Sequence, residues 1–212
     1  MARHPAPGRV KTRLARVVGT QPATALYRAF VLDLADRLAA LPYPLTWAID
    51  PPDAPFSTLV AGARCRGQEG ADIGERMERA FAAEFASRSG PVAVIGTDAP
   101  HLRSEALAET AAVLGRDADV VLGPAEDGGY YLIGLTGPTP ALFAGIPWST
   151  RDVLAATLAR ARDAGLRTHL LPPTFDVDEP EDVVRLAKAL ARGEAHLPRT
   201  AAVLATLVPS GS

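Results

Sequence analysis

Cysteine is almost missing: Cys65 is the only one in 212 residues. No intramolecular disulfide can form, and a reducing cytoplasm fits that usage. An excess of either charge is missing too, since 22 Lys and Arg against 24 Asp and Glu leave a formal net charge of −2. That balance lacks the basic surplus of a nucleic-acid-binding face. No apolar run reaches the roughly 18 residues of a membrane span, and the first residues lack the apolar core of a signal peptide. The expectation is a cytoplasmic protein with neither nucleic-acid nor membrane partners. His4, His101, His169 and His196 show no metal-ligand spacing. No Ser/His/Asp or Cys/His arrangement is visible either, so nothing supports nucleophilic hydrolysis. Repeats, low-complexity blocks and interdomain linkers are also lacking.

What is present is a 48% hydrophobic composition, enough for a substantial core, with strand and helix patterns in alternation. Residues 22–41 place Leu26, Phe30, Leu34 and Leu38 on one helical face, and residues 70–88 align Ile73, Met77, Phe81 and Phe85. Residues 104–115, a segment from Ser149 to about Ala164, and a segment opened by Pro180 and closed by Gly193 also read as helices. In the second of these, Asp152 is placed for a capping-box-like contact. Residues 44–50, 91–98, 118–124, 130–135 and 167–172 read as strands. The run 91–98 has the continuous apolar pattern of a strand buried on both faces. Alternation of this kind implies an α/β fold with a mostly parallel central sheet flanked by helices. One domain over residues 1–193 and a loose tail over 194–212 are expected.

Ligands of such sheets bind beyond the carboxyl ends of the strands. Acids stand there: Asp50, Asp98, Glu126 with Asp127, and Asp176 with Asp178. Four stretches carry chemistry, each beside a plainer reading. In HPAPGRVKTRL (4–14), Pro5, Pro7 and Gly8 set a turn before a helix near Thr12, and Lys11 and Arg13 offer charge to a di- or triphosphate. The plainer reading is a solvated basic arm. In VIGTDAPHL (94–102), Asp98 can hold a hard divalent cation together with phosphate oxygens, or simply cap a turn. In GPAEDGGYYLIGL (123–135), Gly128 and Gly129 allow close approach beside Glu126 and Asp127, or make a hairpin turn. In FDVDEPEDV (175–183), helix capping accounts for Glu179 to Asp182 but poorly for Asp176. QEGADIGERM (68–77) adds Gly70 and Gly74, able to pass close to a base or sugar, with Asp72 as a cap. Trp148-Ser149-Thr150 reads as a buried tryptophan ahead of a capped helix, and Cys65 as a small buried residue.

In this order, HPAPGRVKTRL, QEGADIGERM, VIGTDAPHL, VVLGPAEDGGYYLIGL, IPWST and FDVDEPEDV resemble a bacterial glycosyltransferase-like family. That family falls in the nucleotide-diphospho-sugar transferase superfamily, with the GT-A fold, alongside cofactor guanylyltransferases and isoprenoid cytidylyltransferases. The likeness runs from about residue 2 to about residue 190. It implies a metal-dependent transferase that moves a nucleotidyl or glycosyl group from a nucleoside triphosphate or nucleotide sugar to a small acceptor. It implies a Mg²⁺ or Mn²⁺ held by Asp98 and Asp178, and catalytic roles for Lys11, Arg13 and Asp98. It implies nucleotide contacts from Pro7, Gly8, Lys11, Arg13, Gly70, Asp72 and Gly74, and an acceptor side at Glu126, Asp127, Gly128 and Gly129. The GTD of residues 96–98 offers one acid where a DxD would offer two, which leans toward nucleotidyl transfer. The family also implies an apolar first strand just before the phosphate loop. Met1 stands where that strand should be ending, so the strand is expected to be missing or truncated, from a start assigned too late or a shortened chain. A non-catalytic nucleotide-binding or regulatory protein, or an inactive fragment, is the rival reading.

Overall fold

The computed structural model describes residues 1–207. In chain order the elements are β1 (Ala2–Arg3), α1 (Thr12–Val18), α2 (Thr20–Ala39), β2 (Trp47–Asp50), β3 (Cys65–Gly67), α3 (Ile73–Ser87), β4 (Val92–Ile95), α4 (Ser104–Val113), β5 (Val120–Pro124), β6 (Tyr130–Leu135), α5 (Val153–Asp163), β7 (Thr168–Leu170), α6 (Pro180–Ala191) and α7 (Pro198–Leu207). The expected α/β alternation is therefore observed. No described helix is long and apolar enough to cross a membrane. The chain gathers into two compact units, each built from separated segments.

Among the described residues, the first unit comprises Met1–Gly67, Thr97–Leu102 and residues 177–207. Its sheet is parallel and three-stranded, in the order β1-β2-β3, with Ala2 opposite Ile49 and Trp47 opposite Cys65. β1 has two residues and lies at one edge of this sheet. The apolar stripe of α2 is buried as its periodicity requires, with Leu26, Phe30, Leu34 and Leu38 all inside. Residues 194–207 correct the expectation of a loose tail, while 208–212 lie outside the described residues. Here α7 packs on α2 with Leu197, Thr200 and Leu204 buried. Asp33 of α2 explains the anchorage. Its carboxylate accepts from the backbone N–H of Arg199 (3.2 Å) and of Thr200 (2.8 Å). The first turn of a helix leaves such N–H groups without intrahelical partners, and an acid there satisfies them.

The second unit comprises Gln68–Gly96 and Arg103–Asp176. Its sheet runs β4-β6-β5-β7. β5 and β7 are parallel, but β6 is antiparallel to both β4 and β5. The reason is the short link between β5 and β6, which permits only a hairpin return, since a parallel pairing needs a crossover of a dozen or more residues. Val120, Val121, Leu122, Leu132, Ile133 and Leu135 form the sheet's share of the core, none above 1% exposed. β4 does not match the expectation of a strand buried on both faces: it lies at the sheet edge and is partly exposed. α5 begins at Val153 rather than Ser149. Ser149 instead has φ +64°, in a turn where the Thr150 hydroxyl donates to the Pro147 carbonyl (2.7 Å). Asp152 is the N-cap residue of α5 but makes no side-chain cap bond, so the expected capping-box contact is not formed.

Candidate functional site

The HPAPGRVKTRL stretch of the first unit is not a solvated arm at Lys11. The segment turns at Gly8 (φ +75°), where Arg9 N–H donates to the Ala6 carbonyl (3.0 Å). It then enters α1 through Lys11, whose backbone is left-handed at φ 47°, ψ 46°. A non-glycine residue in that region carries backbone strain, and such positions are held only where surrounding contacts over-determine them. Those contacts are visible. The Lys11 ammonium donates to Asp98 Oδ1, and to Asp178 Oδ1 at 2.9 Å. The lysine side chain is 2% exposed, whereas those of Asp98 and Asp178 are 50% and 45% exposed. The rings of Tyr27 and Phe30, on α2, lie 5.6 and 5.7 Å from Nζ, within cation–π range.

Each acid is placed by its own backbone. Val177 N–H donates to the Asp98 carbonyl (2.8 Å), which pins the segment before α6 beside Asp98. One oxygen of Asp182, in the first turn of α6, accepts from the N–H of Asp178 (3.0 Å) and of Glu179 (2.9 Å). Together with the Glu179 side chain this forms a capping box, so α6 and Asp178 are fixed as one piece. Tyr27 supplies the floor: its hydroxyl oxygen accepts from Arg3 N–H (3.0 Å) and is hydrogen-bonded to the Thr97 hydroxyl (2.8 Å). Electrostatics follow the geometry. Burial by itself would lower the Lys11 pKa, but the charges of Asp98 and Asp178 and their hydrogen bonds outweigh it and hold the ammonium above its ordinary value. Burial, then the Asp98 charge, pushes the Tyr27 phenol upward. Arg13 is exposed and reaches Glu179 at 3.5 Å.

Three of the residues singled out in the sequence, Lys11, Asp98 and Asp178, thus meet at one point, with Arg13 at its rim through Glu179. Pro7 and Gly8 lie on the exposed turn ahead of them. Tyr27 and Phe30 belong to this site but read in the sequence only as helix positions. The signal that could have found Tyr27 is a phenol one residue after Leu26 on the mainly apolar buried face of α2.

The other candidates lie in the second unit. Asp72 is the N-cap of α3, its carboxylate accepting from Glu75 N–H (2.9 Å). A Cβ on Gly70 would fall 2.7 Å from Glu75 Cβ, and one on Gly74 would fall 2.3 Å from Trp148 Nε1. The close approaches that require these glycines are therefore to the protein's own helix and to an indole. Ala125 to Gly129 form the β5–β6 hairpin turn, in which Asp127 Oδ1 accepts from Gly129 N–H (2.9 Å). A Cβ on Gly128 would fall 2.2 Å from the Arg151 carbonyl oxygen, and Gly128 O accepts from Leu154 N–H (2.9 Å). The turn from Trp148 to Arg151 therefore touches both the Gly70–Gly74 segment and the hairpin carrying Glu126 and Asp127. The sequence showed no sign of that linking role.

A divalent cation is what the resemblance implies, and the donor set can be checked against it. Among the described residues no group of three or more His, Cys, Asp or Glu side chains gathers. Asp98 and Asp178 supply two half-exposed carboxylates, each bound to Lys11 through Oδ1. Mg²⁺ characteristically takes one or two carboxylates and completes its shell with substrate phosphates and water. The pair fits that requirement, with oxygen donors of the right hardness.

A crystal structure from Desulfovibrio desulfuricans G20, described as a "putative nucleotide-diphospho-sugar transferase", superposes with a TM-score of 0.89. The two sequences are 35% identical, and the match covers 97% of this chain and 91% of that one. The fold is therefore that of the nucleotide-diphospho-sugar transferases, as the order of motifs implied. A family model described as "Uncharacterized protein conserved in bacteria (DUF2064)" matches residues 32–150, more than half the chain, and the chain belongs to that family. A search of curated proteins finds no match.

Proposed function

We propose that this chain is a transferase that binds a nucleotide donor through a divalent cation held by Asp98 and Asp178. The observation that carries the reading is the convergence of Lys11, Asp98 and Asp178 on one point of the first unit. The fold shared with the D. desulfuricans protein supports the coarser class of transferase.

In this reading Asp98 and Asp178 are the protein ligands, and a bound Mg²⁺ or Mn²⁺ supplies charge neutralisation at the donor's phosphate oxygens. Lys11 holds both carboxylates in place. Exposed Arg9 and Arg13 meet the phosphates. Two bonds are open to transfer. With a nucleotide sugar, the acceptor hydroxyl oxygen bonds to the sugar C1 as the C1–O bond breaks, the electron pair leaving on the nucleoside diphosphate and the hydroxyl proton passing to that diphosphate or to water. With a triphosphate, an acceptor phosphate bonds to the α-phosphorus and pyrophosphate leaves. Both work by positioning and electrostatics without an enzyme nucleophile.

A melting-temperature screen against nucleoside triphosphates and nucleotide sugars, with and without Mg²⁺, tests the reading. A ligand that binds the native state raises the melting temperature by mass action. A Mg²⁺-dependent rise that Asp98→Asn abolishes is expected. A rise with nucleotide sugars assigns glycosyl transfer, and one with triphosphates assigns nucleotidyl transfer. No rise with any ligand overturns the reading in favour of a non-catalytic protein.

A further inference from the structure

A lysine beside a nucleotide site is ordinarily read as a phosphate partner, but Lys11 is built differently. Its side chain is 2% exposed, its ammonium donates to both acids, and the rings of Tyr27 and Phe30 stand 5.6 and 5.7 Å away. The left-handed backbone at φ 47° directs the side chain inward, and the residue opens α1, where Lys11 O accepts from Ala15 N–H (2.8 Å). Swinging Nζ out to meet a phosphate would abandon two charge-assisted hydrogen bonds at once. Lys11 is therefore a fixed part of the carboxylate pair.

That arrangement has a consequence for a metal ion. Two carboxylates alone present a charge of −2, and with the ammonium between them the cluster presents −1. One oxygen of each acid is also already engaged. A free divalent cation is then attracted weakly and meets a like charge a few ångströms away. A nucleotide's phosphates add several negative charges on the same ion and reverse that balance. Resting on the reading of Asp98 and Asp178 as metal ligands, we propose that Lys11 is an internal counter-cation that makes divalent-cation binding depend on the donor's phosphates. The metal enters as a metal–nucleotide pair and does not load the empty protein. Lys11 is here a positioning residue, acting through the two acids.

The test titrates Mn²⁺ alone into the full chain at fixed ionic strength, with free Mn²⁺ read from its paramagnetic resonance signal. Wild type is compared with Lys11→Gln, Lys11→Met and Lys11→Arg, and wild type is repeated with ADP, GDP, UDP and CDP in turn. The neutral variants are expected to bind Mn²⁺ alone about tenfold more tightly or better, because removing a unit charge this close outweighs the loss of positioning. Lys11→Arg keeps the charge and is expected to stay as weak as wild type. Wild type is expected to retain Mn²⁺ only when one of the nucleotides is present. A purely structural lysine would make the neutral variants bind Mn²⁺ no better, or worse. That result overturns the proposal while leaving the metal site standing, provided the nucleotide arm still shows binding. If the neutral variants fail to fold, the wild-type arms decide: equal Mn²⁺ affinity with and without nucleotide overturns the proposal. No Mn²⁺ retention under any condition overturns the metal reading itself.

Discussion

Removing the negative charges around Lys11 tests the site's energetics without any ligand. Asp98→Asn and Asp178→Asn each delete one partner of a buried ammonium while keeping side-chain size. At an effective dielectric of about 20, unit charges 2.9 Å apart attract by roughly 6 kcal/mol before desolvation is counted. Both acids are about half exposed, so water screens that attraction and only a fraction survives as stability. Each single variant leaves Lys11 one carboxylate and is expected to cost about 1–2 kcal/mol. The double variant leaves a buried cation with none. Its cost is expected to reach about 3–5 kcal/mol, the range for an uncompensated buried charge. The excess over the sum of the singles is the coupling between the two acids. Adding Lys11→Met to the double variant removes the stranded charge and is expected to recover about half of the loss or more. Raising the pH should also help the double variant, because a buried lysine without partners has a depressed pKa and folds more readily once neutral. Urea unfolding at pH 7 and pH 9 reads all of these from midpoint and slope. Additive single and double costs, with no recovery in the triple variant, would refute the claim that the lysine depends on both acids.

Gly74→Ala would drive a Cβ to 2.3 Å from the Trp148 indole nitrogen, and is expected to destabilise by about 1–3 kcal/mol and shift the tryptophan emission; an unchanged spectrum and melting temperature would contradict that contact. Asp33→Ala removes the acceptor of two N–H groups at the start of α7 and is expected to cost about 1–3 kcal/mol and expose residues 198–207 to protease; equal cleavage rates would return this segment to a loose tail. The Arg167 side chain, then its backbone N–H, hold the Asp119 carboxyl down to about 2. Since that folded value lies below the ordinary one, Asp119 contributes stability above the ordinary carboxylate range and loses it as pH falls toward 2. The difference between wild type and Asp119→Asn is expected to be at most about 1 kcal/mol near neutrality and to vanish in acid; a difference independent of pH would assign it to packing.

Much of this architecture was readable because its signals are local. Leu26, Phe30, Leu34 and Leu38 repeat at helical spacing, and α2 buries all four. The boundaries of β6 follow the apolar run Tyr130–Leu135. The direction of β6 was less apparent, since a run buried at the centre of a sheet looks alike whether its neighbours are parallel or antiparallel. The tight Asp127-Gly128 turn carries that information, because a link this short returns the chain antiparallel. The C-terminal helix is not legible in the sequence because its anchor, Asp33, lies far away in the chain beside the apolar stripe of α2. In the site, Lys11, Asp98 and Asp178 were each visible as charges beside turns, but their meeting was not. It depends on Asp182 holding the start of α6 and on Val177 pairing with Asp98. The inward turn of Lys11 depends on a left-handed backbone at a residue that usually avoids it.

The most direct test of the account is a crystal structure of the chain soaked with Mn²⁺ and the nucleotide found by the melting screen, with the metal located by anomalous scattering. The account expects one metal peak within about 2.5 Å of oxygens from both Asp98 and Asp178, shared with phosphate oxygens, and Lys11 still buried against the two acids. A nucleotide bound without metal there, or metal and phosphates seated elsewhere with Lys11, Asp98 and Asp178 undisturbed, would contradict it.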